Sequence, residues 1–210
     1  MYIPTHFCEE EIPALHEMMR QNSFAALVTV TDGVPFATHL PVLLDSETPP
    51  YGILRGHVAR ANPQWRHFKA GTEGLMLFGG PHGYISPGWY ETQPAVPTWN
   101  YTAVHAYGIP RLMTDEELKA LLLDMTAYFE ADLPTSQNLE FSDGYVEKLL
   151  PAIVGFEMPI VRLEGKRKLS QNRSETDRRQ VIAALQQSGS MTDAALAAEM
   201  QKRERSDKES

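Results

Sequence analysis

The side chains of this 210-residue chain best suited to chemistry crowd into residues 82–105. That stretch reads His-Gly-Tyr-Ile-Ser-Pro-Gly-Trp-Tyr, then Val-Pro-Thr-Trp-Asn-Tyr, then Val-His. Trp89, Tyr90, Trp99, Asn100, Tyr101 and His105 set flat rings beside an amide, between turns stiffened by Pro87, Pro94 and Pro97. A planar polar ligand needs both: ring faces to stack on and edges to hydrogen-bond. Trp99 and Asn100 are the pair expected to face such a ligand, the indole covering one side and the amide meeting a polar edge. The same aromatics also suit a core or a subunit interface, and both readings stand.

Catalytic groups are less well marked. His82 and His105 are candidate proton carriers near neutral pH, with Asp143 or Glu91 to orient one of them. No Ser-His-Asp order, HExxH or paired-carboxylate spacing accompanies them, so no catalytic set is assigned. Neither GxGxxG nor GxxxxGK[ST] occurs, so a nucleotide has to be held in some other way than on a Rossmann or Walker loop. Cys8 is the single cysteine. It forms no internal disulfide and builds no CxxC zinc site, and no metal is expected. One cysteine also suits a reducing cytoplasm.

The elements that position these groups follow from periodicity and turn chemistry. Glu9–Asn22 has a helical stripe at Ile12, Leu15, His16 and Met19. Phe24–Thr31 and Val34–Leu44 read as strands joined at Asp32-Gly33, a strong hairpin signal. Tyr51–Val58 is a third strand. Asn62-Pro63 opens a short helix through Trp65 and Phe68, because Asn caps and Pro suits the first position. Leu75–Phe78 is a buried strand expected to close at Gly79-Gly80-Pro81. Thr98–Pro110 is a strand with a break at Gly108. Thr114 and Glu117 form a capping box, opening a helix to about Ala131. A shorter helix is expected over Ser142–Leu150 and the last strand over Ile153–Leu163. Ser174–Gln187 and Thr192–Arg203 are two further helices. Interspersed strands and helices without βαβ alternation give an α+β class. The expected division is 1–173 for the main domain and 174–210 for a helical extension.

Composition is ordinary for a globular chain, with 42% hydrophobic and 22% charged residues. No apolar run reaches the roughly 20 residues of a membrane span, and no basic start with an apolar core marks a signal peptide. A cytoplasmic protein with no membrane partner is expected. Residues 165–210 hold ten Lys or Arg against seven Asp or Glu, so of the total of −8 about −11 falls on residues 1–164. An acidic body repels phosphate backbones. The C-terminal helix pair has the outline of a helix-turn-helix, but Thr192–Met200 is Ala-rich and carries Asp193 and Glu199. A recognition helix offers Arg, Lys, Asn or Gln to bases. Direct DNA binding is therefore disfavoured, and a regulatory protein partner is the alternative.

Four strings taken in order carry a family resemblance. They are Met1-Tyr2-Ile3-Pro4 with His6-Phe7, then Gly56 through Trp65, the aromatic block, and Lys168-Leu169-Ser170-Gln171-Asn172-Arg173. Together they resemble the PaiB family, the FMN-binding negative transcriptional regulators of bacteria. The resemblance implies a mainly antiparallel FMN-binding split β-barrel with peripheral helices, binding FMN as a homodimer. It also implies that the flavin ring lies near Thr38, His39 and Leu40. The ribityl chain and phosphate would run toward His57, Ala59 and the Arg60–Asn62 turn. Physical chemistry agrees in part. The turn at Asn62 presents free N–H groups to an anion, and Arg60 can fork onto phosphate oxygens. The ordinary alternatives are a solvated Arg60 and a satisfied strand histidine at His57 or His39. Lys168, Ser170, Gln171 and Asn172 are implied as further contacts, although the same run serves equally as a solubilising exit loop. Which subunit's FMN they touch stays open. A flavin carries redox chemistry itself, so an FMN-dependent oxidoreductase acting on a small molecule or haem is the second reading.

Overall fold

A computed structural model describes residues 1–131, 133 and 144–209. Among these, eight strands form one antiparallel sheet: β1 (Cys8–Glu9), β2 (Phe24–Thr31), β3 (Val34–Asp45), β4 (Ile53–Ala59), β5 (Gly74–Ile85), β6 (Thr98–Gly108), β7 (Arg111–Leu112) and β8 (Ile153–Lys168). The strand order is β1-β8-β4-β3-β2-β5-β6, with β7 beside β8. β6 also pairs with β8, which closes the ladder as a split barrel requires. The helices are α1 (Ile12–Gln21), α2 (Asp115–Glu130), α3 (Tyr145–Leu149), α4 (Glu175–Gln187) and α5 (Met191–Glu209). The protein is α+β. No helix among the described residues is long and apolar enough to cross a membrane.

The chain resolves into two compact units. The first comprises Met1–Met18, Gly79–Val104 and Glu164–Ser210, and the second Met19–Phe78 and His105–Leu163. In the second, Asp32 and Gly33 turn the β2–β3 hairpin with φ of 53° and 76°, the left-handed pair that a tight hairpin demands. Thr114 and Glu117 exchange capping-box bonds at the start of α2. Helix α2 packs Leu118, Leu121 and Met125 against Leu43, Val146 and Leu150. Gly155 lies beneath this helix, where a Cβ would stand 2.9 Å from Leu118. In the first unit, α4 and α5 bury Val181, Ile182, Leu185, Leu196, Ala197 and Met200 around Ile85, Tyr90 and Leu169.

Four expectations are corrected. Helix α1 begins at Ile12, not Glu9, because Cys8 and Glu9 pair with Lys166 and Gly165 as β1. β5 does not close at Gly79-Gly80-Pro81 but runs on to Ile85, carried by its neighbour β6. β8 continues past Leu163 to Lys168, so Lys166–Lys168 belong to a strand and not to an exit loop. The helix after Asn62 is a 3-10 turn, Pro63–Ala70, capped by Asn62 as expected. Ser142 lies outside the described residues; the helix expected there is α3, beginning at Tyr145.

Candidate functional site

In the second unit, alternation along the strands decides where the candidate residues point. On β3, Leu40 is buried in the core and touches the space above Gly56, whereas His39 is exposed with its ring 6.2 Å from Phe24. Thr38 meets Asn62: the Asn62 amide nitrogen donates to Thr38 Oγ1 at 2.8 Å, while its carbonyl oxygen accepts from the Gln64 backbone N–H at 2.9 Å. Sequence reasoning did not single out Gln64, which fixes this corner. Fully buried, it donates through Nε2 to the carbonyl of Leu27 at 2.9 Å, to Thr29 Oγ1 at 3.1 Å and to the carbonyl of Phe36 at 3.2 Å. Its signals were its place in the Gly56–Trp65 string and its polar type two positions after an N-cap.

His57 and Arg60 line different cavities. His57 faces α2, in an apolar cavity of about 360 Å³ with Leu122, Met125 and Phe129. Burial pushes the His57 pKa below its ordinary value, so the ring is neutral at pH 7. Its Nδ1 is buried without a hydrogen-bond partner among the described residues. Arg60 lines a cavity of about 620 Å³ that also carries Asp115, Glu116, Lys119 and Glu147. Its Nε donates to the Pro151 carbonyl at 3.3 Å, and its guanidinium lies 5.9 Å from the Trp65 ring. Ala59 ends β4 beside this turn, exposed. The His57 and Arg60 side chains thus open onto separate spaces, one apolar and one charged.

In the first unit, Trp99 and Asn100 project to opposite faces of β6, as successive strand residues must. Trp99 is 53% exposed, with the rings of His82 and Tyr84 each 6.3 Å away. Asn100 is fully buried. Its Nδ2 donates to Ser170 Oγ at 2.9 Å and lies 3.6 Å from Met200 Sδ, while Oδ1 has no partner among the described residues. Ser170 is itself buried in a left-handed conformation, φ 63°, rare for a residue with a Cβ. Gln171 closes its own turn, accepting from Leu169 N at 2.7 Å and donating to the Arg167 carbonyl. Asn172 is exposed.

Because β8 extends through residue 168, Lys166 and Lys168 share a face and Arg167 takes the other. Lys168 donates to Thr98 Oγ1 and to the Trp99 carbonyl, the latter at 2.6 Å. Burial first, and the Lys166 charge second, hold its ammonium below the ordinary lysine value. Lys166 donates to the Tyr2 carbonyl at 3.0 Å, its ammonium 5.1 Å from the Tyr101 ring. Arg167 turns inward to Glu9, 3.5 Å away. Tyr84 was not singled out from the sequence; strand alternation, once β5 is known to continue, places it. An exposed indole, phenol and imidazole beside a partly desolvated ammonium fit a flat anionic ligand. Of the proposed proton carriers and their orienting carboxylates, His82 has Nδ1 3.2 Å from the Gly80 carbonyl, and the Glu91 backbone N–H donates to Asp177. Asp143 lies outside the described residues.

The family described as "Putative FMN-binding domain" matches residues 1–162. The chain belongs to that FMN-binding family. It is 41% identical over 188 residues to "Protease synthase and sporulation protein PAI 2" of Bacillus subtilis, covering 89% of each chain. It is 32% identical over 230 residues to an uncharacterized protein of Emericella nidulans, covering 90% of this chain and 92% of that one. Among solved structures, the flavocytochrome Anf3 from Azotobacter vinelandii superposes with a TM-score of 0.60 at 14% identity, over 85% of this chain and 78% of that one. The FAD and heme binding protein from Mycobacterium smegmatis gives 0.58 at 17% identity, over 84% and 79%. At these identities the FMN-binding family member shares a fold with them.

Proposed function

We propose that this chain binds FMN as a homodimer and acts as a negative transcriptional regulator of the PaiB type, through its flavin-bound state. The observation that carries the reading is the near full-length likeness to PAI 2 within an FMN-binding family. FMN, when bound, supplies hydride or single-electron transfer. In the first unit, Trp99 is assigned the stacking face, with Tyr84 and His82 bordering it, and Lys168 the anionic contact. Asn100, Ser170 and Gln171 hold that turn in shape, and Asn172 is free to reach a ligand from the surface. In the second, Thr38, His39, Leu40, His57, Ala59, Arg60 and Asn62 are assigned flavin contacts, with Arg60 the phosphate partner. Three carboxylates line the Arg60 cavity, and their repulsion makes this the assignment most exposed to test.

Regulation through a partner or ligand is favoured over groove reading. α5 presents Met191, Thr192, Ala194, Ala195 and Ala198 at its exposed N-terminal half, which offers no cation or amide to bases. The homodimer is supported by the exposed apolar β2–β3 face, where Phe24 is 68% and Val30 50% exposed. A second reading, an FMN-dependent oxidoreductase for a small molecule or haem, draws on the fold neighbours that bind FAD and heme or are flavocytochromes.

The deciding experiment is mass spectrometry of the small molecule released from native protein. Riboflavin 5′-phosphate is expected; a colourless protein that takes up no added FMN in calorimetry overturns the reading. NADPH oxidation dependent on the bound flavin would favour the enzyme. Salt-sensitive promoter binding that persists in competitor DNA would instead establish direct DNA recognition.

A further inference from the structure

We infer that the second unit holds a separate site for a small organic monocarboxylate, in a cavity of about 270 Å³ lined by α2, β3 and β4. None of its lining residues is among the assigned flavin contacts, so the inference is independent of the flavin reading. Much of the lining is apolar, with Met19, Val42, Leu54 and Phe78 contributing. Against these stand two guanidinium groups, Arg20 and Arg55, and one carboxylate, Asp124, which leaves the lining with a net positive charge.

Both arginines are held in place. Arg55 Nη1 donates to Asp124 Oδ2 at 2.9 Å, and Arg20 Nη2 donates to Ser46 Oγ at 2.7 Å. Arg55 Nε is buried and has no hydrogen-bond partner among the described residues. A buried guanidinium N–H without an acceptor is costly, and the acceptor that best matches a guanidinium edge is a carboxylate. Asp124 is already committed to Nη1. The missing acceptor therefore belongs to a ligand, and the apolar walls call for a hydrocarbon body behind it. The volume lies just below the ~300–1,000 Å³ of drug-sized sites, which selects a small aryl or branched alkyl acid. A dianion would face Asp124 and the apolar wall with one charge uncompensated.

The test is calorimetry on the full chain with benzoate, using benzamide as the neutral isostere. Benzoate is expected to bind with a dissociation constant below about 1 mM, and benzamide at least roughly tenfold more weakly. Arg55→Gln should weaken benzoate by about tenfold or more. Should that variant not fold, Ala127→Leu decides. It replaces an exposed residue of α2 that lines the cavity, keeps a good helix former, and should also abolish most benzoate binding. Saturating FMN should leave benzoate affinity unchanged. Equal affinity for acid and amide, no benzoate binding, wild-type binding in the folded variants, or displacement of benzoate by FMN would each overturn the assignment.

Discussion

Lys168 couples ligand binding to pH in a direction fixed by its surroundings. Burial, then the Lys166 charge, lowers its pKa in the folded state. Between that lowered value and the ordinary lysine value of ~10.4, the folded chain carries fewer protons than the unfolded one. Stability from this group therefore rises with pH across that window. Anion binding runs the other way, because the ammonium is lost as pH climbs through the lowered pKa. FMN affinity, followed by flavin fluorescence, should begin to fall below pH ~10.4, and Lys168→Arg should move that fall to higher pH. A profile unchanged by Lys168→Arg would remove the residue from the site. Arg60→Ala should weaken FMN retention by about tenfold without shifting the melting temperature. Unchanged affinity there would move the phosphate to another anchor. Arg60 and Asn62 were legible as chemistry because their types and the Asn-Pro turn announce it. The carboxylates facing Arg60 were not, since Asp115, Glu116 and Glu147 arrive from distant elements.

Strand ends and helix caps carry different amounts of information in their sequence. The α2 start was readable because its signal is local: Thr114 and Glu117 bond one another across one turn. Thr114→Ala should cost about 1 kcal/mol in urea unfolding. Glu117, held at about 2 chiefly by its hydrogen bonds to Arg111, contributes fully above the ordinary value of ~4.3 and loses that contribution as pH falls. The ends of β5 and β8 were not readable. Gly79-Gly80-Pro81 is a stop by local propensity, yet pairing with β6 carries the strand four residues beyond Pro81. Neighbouring strands override propensity, and a single sequence does not name the neighbours. Gly108 illustrates the same dependence. A Cβ there would stand 2.2 Å from the Pro159 carbonyl oxygen, a backbone atom that cannot swing away. Gly108→Ala should therefore destabilise by roughly 1–3 kcal/mol, more than loss of the cap. Equal effects in the two variants would mean that β6 yields at this point.

A sheet face with exposed Phe24 and Val30 predicts self-association. Light scattering should give a dimer, and Phe24→Glu combined with Val30→Lys should give a folded monomer. A wild-type monomer that holds FMN tightly would exclude a shared site. The division of the chain into two units bears on how this protein can be handled. Each unit is assembled from separate stretches of sequence, and β5, β6 and β8 each begin in one and end in the other. No single cut liberates either part. Even removal of residues 174–210, proposed as an extension, would strip the cover from Ile85, Tyr90 and Leu169. Expressing or grafting either unit alone is therefore expected to fail, because each needs stretches of chain that the other separates in sequence.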